Sequence, residues 1–184
     1  MKRLVSALIL LMAVAGLPVA ARASVDAADE YEIKAAMYIN MLRLVEWPPG
    51  NHGDATAPLV IGVSGSEDMA RALETVAKSR SAAAGRQITV RRISGTSGAE
   101  ECHSVFIGGA DRKKIEGMLA ATAKDSVLTV GESDKFVSLG GMFALQLTDE
   151  RIQIEVNLAV ARGVGLNIGS QLLRIATVKT GAGK

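Results

Sequence analysis

The chain is poor in the residues that make rigid frameworks and reactive centres. It has one cysteine, two histidines, four prolines and one tryptophan in 184 residues, and aromatics make up only 3%. A single cysteine excludes an internal disulfide framework and any multi-cysteine zinc or iron–sulfur site. Two histidines without the i, i+4 spacing of a helical zinc site make a poor metal set. Past the N-terminal segment, no run of 18 apolar residues exists, so no later segment reads as a membrane span. Proline is too scarce, and hydrophobic residues at 48% too abundant, for a disordered or collagenous chain.

What is present begins with an export signal. Met1-Lys2-Arg3 is a positive start, Leu4 to Gly16 an apolar core, and Ala21-Arg22-Ala23 a small-residue site. That layout predicts a secretory signal peptide over 1–23, cleaved after Ala23. The apolar run is shorter than the roughly 20 residues a bilayer span needs. The peptide holds Lys2, Arg3 and Arg22 and no acid, so its loss takes the net charge from +2 to −1. A near-neutral mature chain lacks the concentrated basic footprint of a nucleic-acid binder. Periplasmic localisation is the expectation, with no membrane insertion after cleavage.

Residues 24–28 read as a polar tail and 29–178 as one domain, with 179–184 a flexible end. Ile33, Met37, Met41 and Leu44 form a helical stripe, which the spacing carries as far as Trp47-Pro48-Pro49. Leu59 to Val63 is a continuous apolar run that suits a strand buried on both faces. Ser66 is placed to cap a helix from Glu67 to about Arg80. Further strands are predicted over Gln87 to Ile93, Ser104 to Ile107 and Val127 to Val130, with a helix from Asp111 to about Ala123. Met142 to Leu147 and Ile152 to Val156 read as a hairpin turning through Thr148-Asp149-Glu150-Arg151. Two short helical stretches, Leu158 to Arg162 and Ser170 to Thr177, end the chain. The order implies an α/β fold with a mostly parallel central sheet flanked by helices and a C-terminal β-hairpin. At roughly 155 residues, such a domain buries about 68–70% of its unfolded surface.

Catalysis finds no support. Cys102 and His103 are neighbours in an extended stretch, so their side chains point to opposite faces and cannot pair. A lone cysteine is more often a small buried hydrophobe than a nucleophile. No residue is assigned a catalytic role, and no cofactor or metal is expected. Ser64-Gly65-Ser66 follows a strand and opens a helix, where an anion can sit on free backbone N–H groups. Its spacing matches no nucleotide fingerprint, and a tight strand-to-helix turn is the plainer reading.

Several stretches together resemble the YfiR family. Lys34 to Asn40 followed by Val45-Glu46-Trp47-Pro48 is similar to its opening helix and "EWP" corner. Leu59 to Val63, Gly85 to Val90, Cys102 to Ile107, Val127 to Val130, Phe136 and Gly140-Gly141-Met142 follow in that family's order. Glu155 to Leu158 and Gly165 to Leu173 complete a match over nearly all of residues 30–178. The resemblance implies an α/β sandwich that acts as a periplasmic, non-catalytic regulator and commonly dimerises. Such proteins bind the periplasmic sensor domain of an inner-membrane diguanylate cyclase and hold it inactive. Release through an outer-membrane or periplasmic partner then raises cyclic-di-GMP and promotes biofilm formation. Some members form disulfides; with Cys102 alone, this chain has no internal one.

Partner-binding or scaffold residues carried over are Lys34, Tyr38, Glu46, Trp47, Met142, Asn157 and Arg162. Trp47 is expected in the core rather than at a partner surface. Lys34, Glu46 and Arg162 are expected to form ion pairs that fix the terminal helices. Asn157 is expected to cap the following helix, and Gly140-Gly141 to shape the hairpin entrance. The competing function is a periplasmic small-molecule module, holding an anion, nucleotide or amino acid near Ser64-Gly65-Ser66 at the carboxyl end of the first strand.

Overall fold

A computed structural model of the chain describes residues 27–49, 57–79 and 86–179. The predicted signal peptide, His52, Arg80 and Gly85 lie outside the described residues. Helix α1 (Ala27–Leu42) leads to a two-residue strand β1 (Val45–Glu46), then β2 (Leu59–Ser64), α2 (Glu67–Ser79), β3 (Ile88–Arg92) and β4 (Ser104–Ile107). Helix α3 (Arg112–Thr122), β5 (Leu128–Gly131), β6 (Phe143–Thr148) and β7 (Arg151–Asn157) follow. The chain continues through α4 (Leu158–Gly163), β8 (Asn167–Ile168), α5 (Ser170–Leu173) and β9 (Thr177–Lys179).

Seven strands form one sheet in the order β3-β2-β4-β5-β6-β7-β9. Strands β3 to β6 of that row are parallel, β7 turns back antiparallel to β6, and β9 runs parallel to β7. The α/β architecture read from the sequence is the one observed. Strands β4 and β5 are buried at every position, as apolar runs covered on both faces should be. One face packs α1, α2 and α4 over Ile61, Phe106, Phe143 and Leu145. The other packs α3 through Ile115 and Met118 against Val105 and Ala144, with Phe136 beside them.

The helix starts are local and obey their caps. Ser66 Oγ accepts from Met69 N at 3.2 Å, Asp111 from Lys113 N and Lys114 N, and Asn157 Oδ1 from Val160 N at 3.2 Å. Both ends of the domain depart from the sequence reading. Helix α1 stops at Leu42, five residues before Trp47: Leu44 N closes a last turn on the Met41 carbonyl. The freed Val45-Glu46 then pairs with Ile168 and Asn167, and a partner strand outweighs the helical spacing. The last predicted helix likewise stops at Leu173, and Thr177 begins β9, which takes the outer edge of β7 through Val156↔Val178.

A buried relay ties α1 to the sheet. Ser104 Oγ donates to the Leu128 carbonyl at 2.7 Å, so the Tyr38 hydroxyl, 2.5 Å away, donates to Ser104. Burial pushes the Tyr38 phenol well above its ordinary pKa, although Ser104 opposes the shift. The two ends of this relay are unequal. Tyr38→Phe leaves Ser104 still donating and should cost about 1 kcal/mol. Ser104→Ala strands the buried Tyr38 O–H and should cost about 1–3 kcal/mol. Urea unfolding of both variants checks the order; a costlier Tyr38→Phe would reverse the assigned donor direction.

Candidate functional site

In an open parallel sheet, ligands meet the carboxyl ends of the strands, at the point where strand order reverses. Here that point lies between β2 and β4, whose neighbours run off in opposite directions. The gap is closed by backbone. Gly108 N donates to the Ser64 carbonyl at 2.8 Å. A Cβ on Gly65, whose φ is +78°, would stand 2.8 Å from the Gly108 oxygen. A Cβ on Gly108 would stand 2.6 Å from Ser66 Cβ. Glycine is therefore required on both loops. Ser66 spends its hydroxyl on the α2 cap, and Glu67 and Asp68 supply negative charge to that helix start. The Ser64-Gly65-Ser66 loop is built as a tight turn.

The open space lies further along the same sheet edge. A cleft of about 450 Å³ is bounded by Glu30 and Lys34 of α1, Gly109 after β4, Glu132 and Asp134 after β5, and the end of β6. Lys34 anchors it with a side chain only 4% exposed. Its ammonium lies 2.5 Å from Glu30 Oε1 and 2.9 Å from Glu132 Oε2. Burial alone would lower the Lys34 pKa, but the bonds to Glu30 and Glu132 outweigh it and raise it above the ordinary lysine value. Glu132 Oε1 also accepts from Gly109 N at 3.1 Å and from the Tyr31 hydroxyl at 3.4 Å. Tyr31 is raised in turn, first by burial and then by the Glu132 charge.

The other sequence-selected residues fall elsewhere. Trp47, Met142 and Asn157 stand at the opposite edge, by the starts of β4 and β6. Trp47 is half-buried rather than fully in the core, and its Nε1 donates to the His103 carbonyl at 3.1 Å with the two rings edge to face. Met142 is buried, and its N–H donates to Thr129 Oγ1 at 3.1 Å. Asn157 caps α4, and its Nδ2 is buried without a hydrogen-bond partner among the described residues. Of the three expected ion pairs, only that of Lys34 forms among the described residues. Glu46 accepts from Asn167 Nδ2 at 2.8 Å instead, fastening β1 to β8. Arg162 is exposed, with no ion pair among the described residues. Gly140, at φ +102°, turns the chain, while Gly141 lies flat against the Phe136 ring.

Cys102 is buried, its Sγ 3.4 Å from the Gly98 carbonyl, and burial pushes its thiol pKa up despite nearby Arg91. A thiol held protonated is a weak nucleophile. His103 points its Nδ1 at the Val60 N–H, 3.1 Å away, rather than at Cys102. Among the described residues, no group of three histidine, cysteine or acidic side chains is placed to hold a metal ion. No helix of the described residues is long and apolar enough to cross a membrane.

A family model described as YfiR/HmsC-like matches residues 31–177. The chain belongs to the YfiR/HmsC-like family. The family is one of periplasmic regulators with a cyclic-di-GMP signalling theme. The fold of this YfiR/HmsC-like protein is similar to that of a conserved domain protein from Vibrio cholerae O1 biovar eltor. The identity is 16% and the TM-score 0.55, over 82% of this chain and 60% of that one. It is also similar to an ABC domain in complex with L-Trp from Streptococcus pneumonia, at 10% identity and TM-score 0.53 over the same shares. The chain thus spans 60% of the length of these two structures, and the likeness is one of fold. No curated protein matches the chain.

Sequence reasoning selected Lys34 but missed Glu132, which lies 98 positions away. Glu30, one helical turn before Lys34, was the only local signal of the cluster.

Proposed function

We propose that this protein represses an inner-membrane diguanylate cyclase by binding the cyclase's periplasmic sensor domain. The family match across residues 31–177 carries this reading. Repression is a population shift: the protein binds the inactive state of the cyclase more tightly, so the active state is depleted. Driving a cyclase from 99% active to 99% inactive takes a preference of about 10⁴-fold, or about 5.5 kcal/mol. A second envelope protein that competes for the repressor relieves it, and the repressor itself works as a homodimer.

The anion-binding alternative draws no support from the Ser64-Gly65-Ser66 loop, whose hydroxyl and glycine contacts are already used. Deletion of the gene is expected to raise cellular cyclic-di-GMP and biofilm mass. Unchanged cyclic-di-GMP in a strain that expresses the cognate cyclase would overturn the reading.

A further inference from the structure

The cleft has one wall that its side chains do not explain. Asp149 and Glu150, at φ of 49° and 61°, form the two-residue turn between β6 and β7. Both central residues at positive φ mark a type I′ turn, whose flanking residues exchange both backbone hydrogen bonds. Those residues are Thr148 and Arg151, which are register partners. Bonded and non-bonded pairs alternate from there. Leu147, opposite Ile152, and Leu145, opposite Ile154, therefore turn their N–H and C=O groups away from β7.

On that side β5 pairs only with Phe143 and Ala144. The Gly131↔Ala144 register spends the Leu145 N–H on the Gly131 carbonyl; beyond it, among the described residues, no strand pairs with this edge of β6, and the edge borders the cleft from Gln146 to Thr148. An interior strand with a free edge is a template for another chain. Leu147 adds an apolar side chain that is 39% exposed. The acids Glu30, Glu132 and Asp134 outnumber Lys34, so the cleft carries an excess of two negative charges.

We propose that the cleft receives an extended peptide segment with a basic side chain, which adds to the free edge of β6 as a short strand. The Leu145 carbonyl and the N–H and carbonyl of Leu147 supply the pairing, Leu147 the apolar contact, and Asp134 with its neighbours the charge. Strand addition of this kind takes affinity from main-chain bonds and specificity from alternate side chains. A small amine would satisfy the carboxylates and leave the β6 backbone unused, which is why a peptide fits better. The assignment does not depend on the cyclase reading and stands or falls separately.

The test is fluorescence anisotropy on the purified protein with a labelled, end-blocked tetrapeptide of alternating lysine and valine. Binding is expected at about 50 mM salt and should weaken at about 500 mM, where surface charges are screened. The glutamate–valine counterpart should bind at least about tenfold more weakly, since it places like charges together. A copy methylated on its backbone nitrogens should lose about tenfold, the equivalent of one or two hydrogen bonds. Asp134 is exposed, so Asp134→Lys should fold normally and weaken the lysine peptide at least about fivefold. No binding, equal binding of the glutamate or methylated peptide, or an unchanged affinity in Asp134→Lys would each overturn the proposal. Displacement by free lysine as effectively as by unlabelled peptide would also overturn it, in favour of a small-amine site.

Discussion

Phe136→Ala is expected to lower the free energy of unfolding by about 3–5 kcal/mol. Against the 5–15 kcal/mol that holds an ordinary domain together, that is a large share. The ring is fully buried and clamped between two stretches of backbone. A Cβ on Gly131 would stand 2.3 Å from the ring, and one on Gly141 would stand 2.1 Å from it. Gly141→Ala should therefore cost about 1–3 kcal/mol by overpacking. In the double variant the new methyl enters the space the ring has left. Its cost should fall short of the sum of the singles by more than about 1 kcal/mol. Trp47 is the only tryptophan and half-buried, so its fluorescence during urea unfolding reads all three. Simple additivity would show that the ring and Gly141 do not press on each other.

Lys34→Met is expected to cost about 3–5 kcal/mol at neutral pH, because it leaves Glu30 and Glu132 facing each other with their cation gone. The lysine also sets a pH dependence. Its folded pKa is raised above the ordinary value of 10.5. Its contribution is then complete below that value and is lost as pH climbs through the raised one. The wild-type protein should lose stability over this alkaline window, and Lys34→Met should lack that component. Denaturant midpoints at neutral pH and across the window measure both. A methionine variant that matches the wild type at neutral pH would show that the cluster is solvated and contributes little.

How much of this was legible in the sequence depended on how far apart the cooperating residues stand. The caps at Ser66 and Asn157, and the helix start at Asp111, were readable because each bonds within three residues of itself. The runs that became β2, β4 and β5 were readable because strands covered on both faces need apolar residues throughout. Strands β1, β8 and β9 were not, since two or three residues carry no periodicity and become strands only when a partner arrives. The cleft was half legible. Lys34 stood out, but Glu132 and the free edge of β6 follow from strand order, which no local pattern records. Gly140-Gly141 was rightly placed at the hairpin entrance, yet the need for Gly141 comes from the Phe136 ring.

The last described strand closes the sheet late. Strand β9 completes the sheet only when Thr177 to Lys179 arrive, and Glu46 waits for a partner 121 positions later. Contacts this distant slow folding, because the loop must close before anything rewards it. A nascent chain that has not yet made Asn167 and Ile168 lacks the strand that locks its β1 corner in place. The topology thus leaves the outer edge of the sheet and the Glu46 corner open until both of these distant segments have been made.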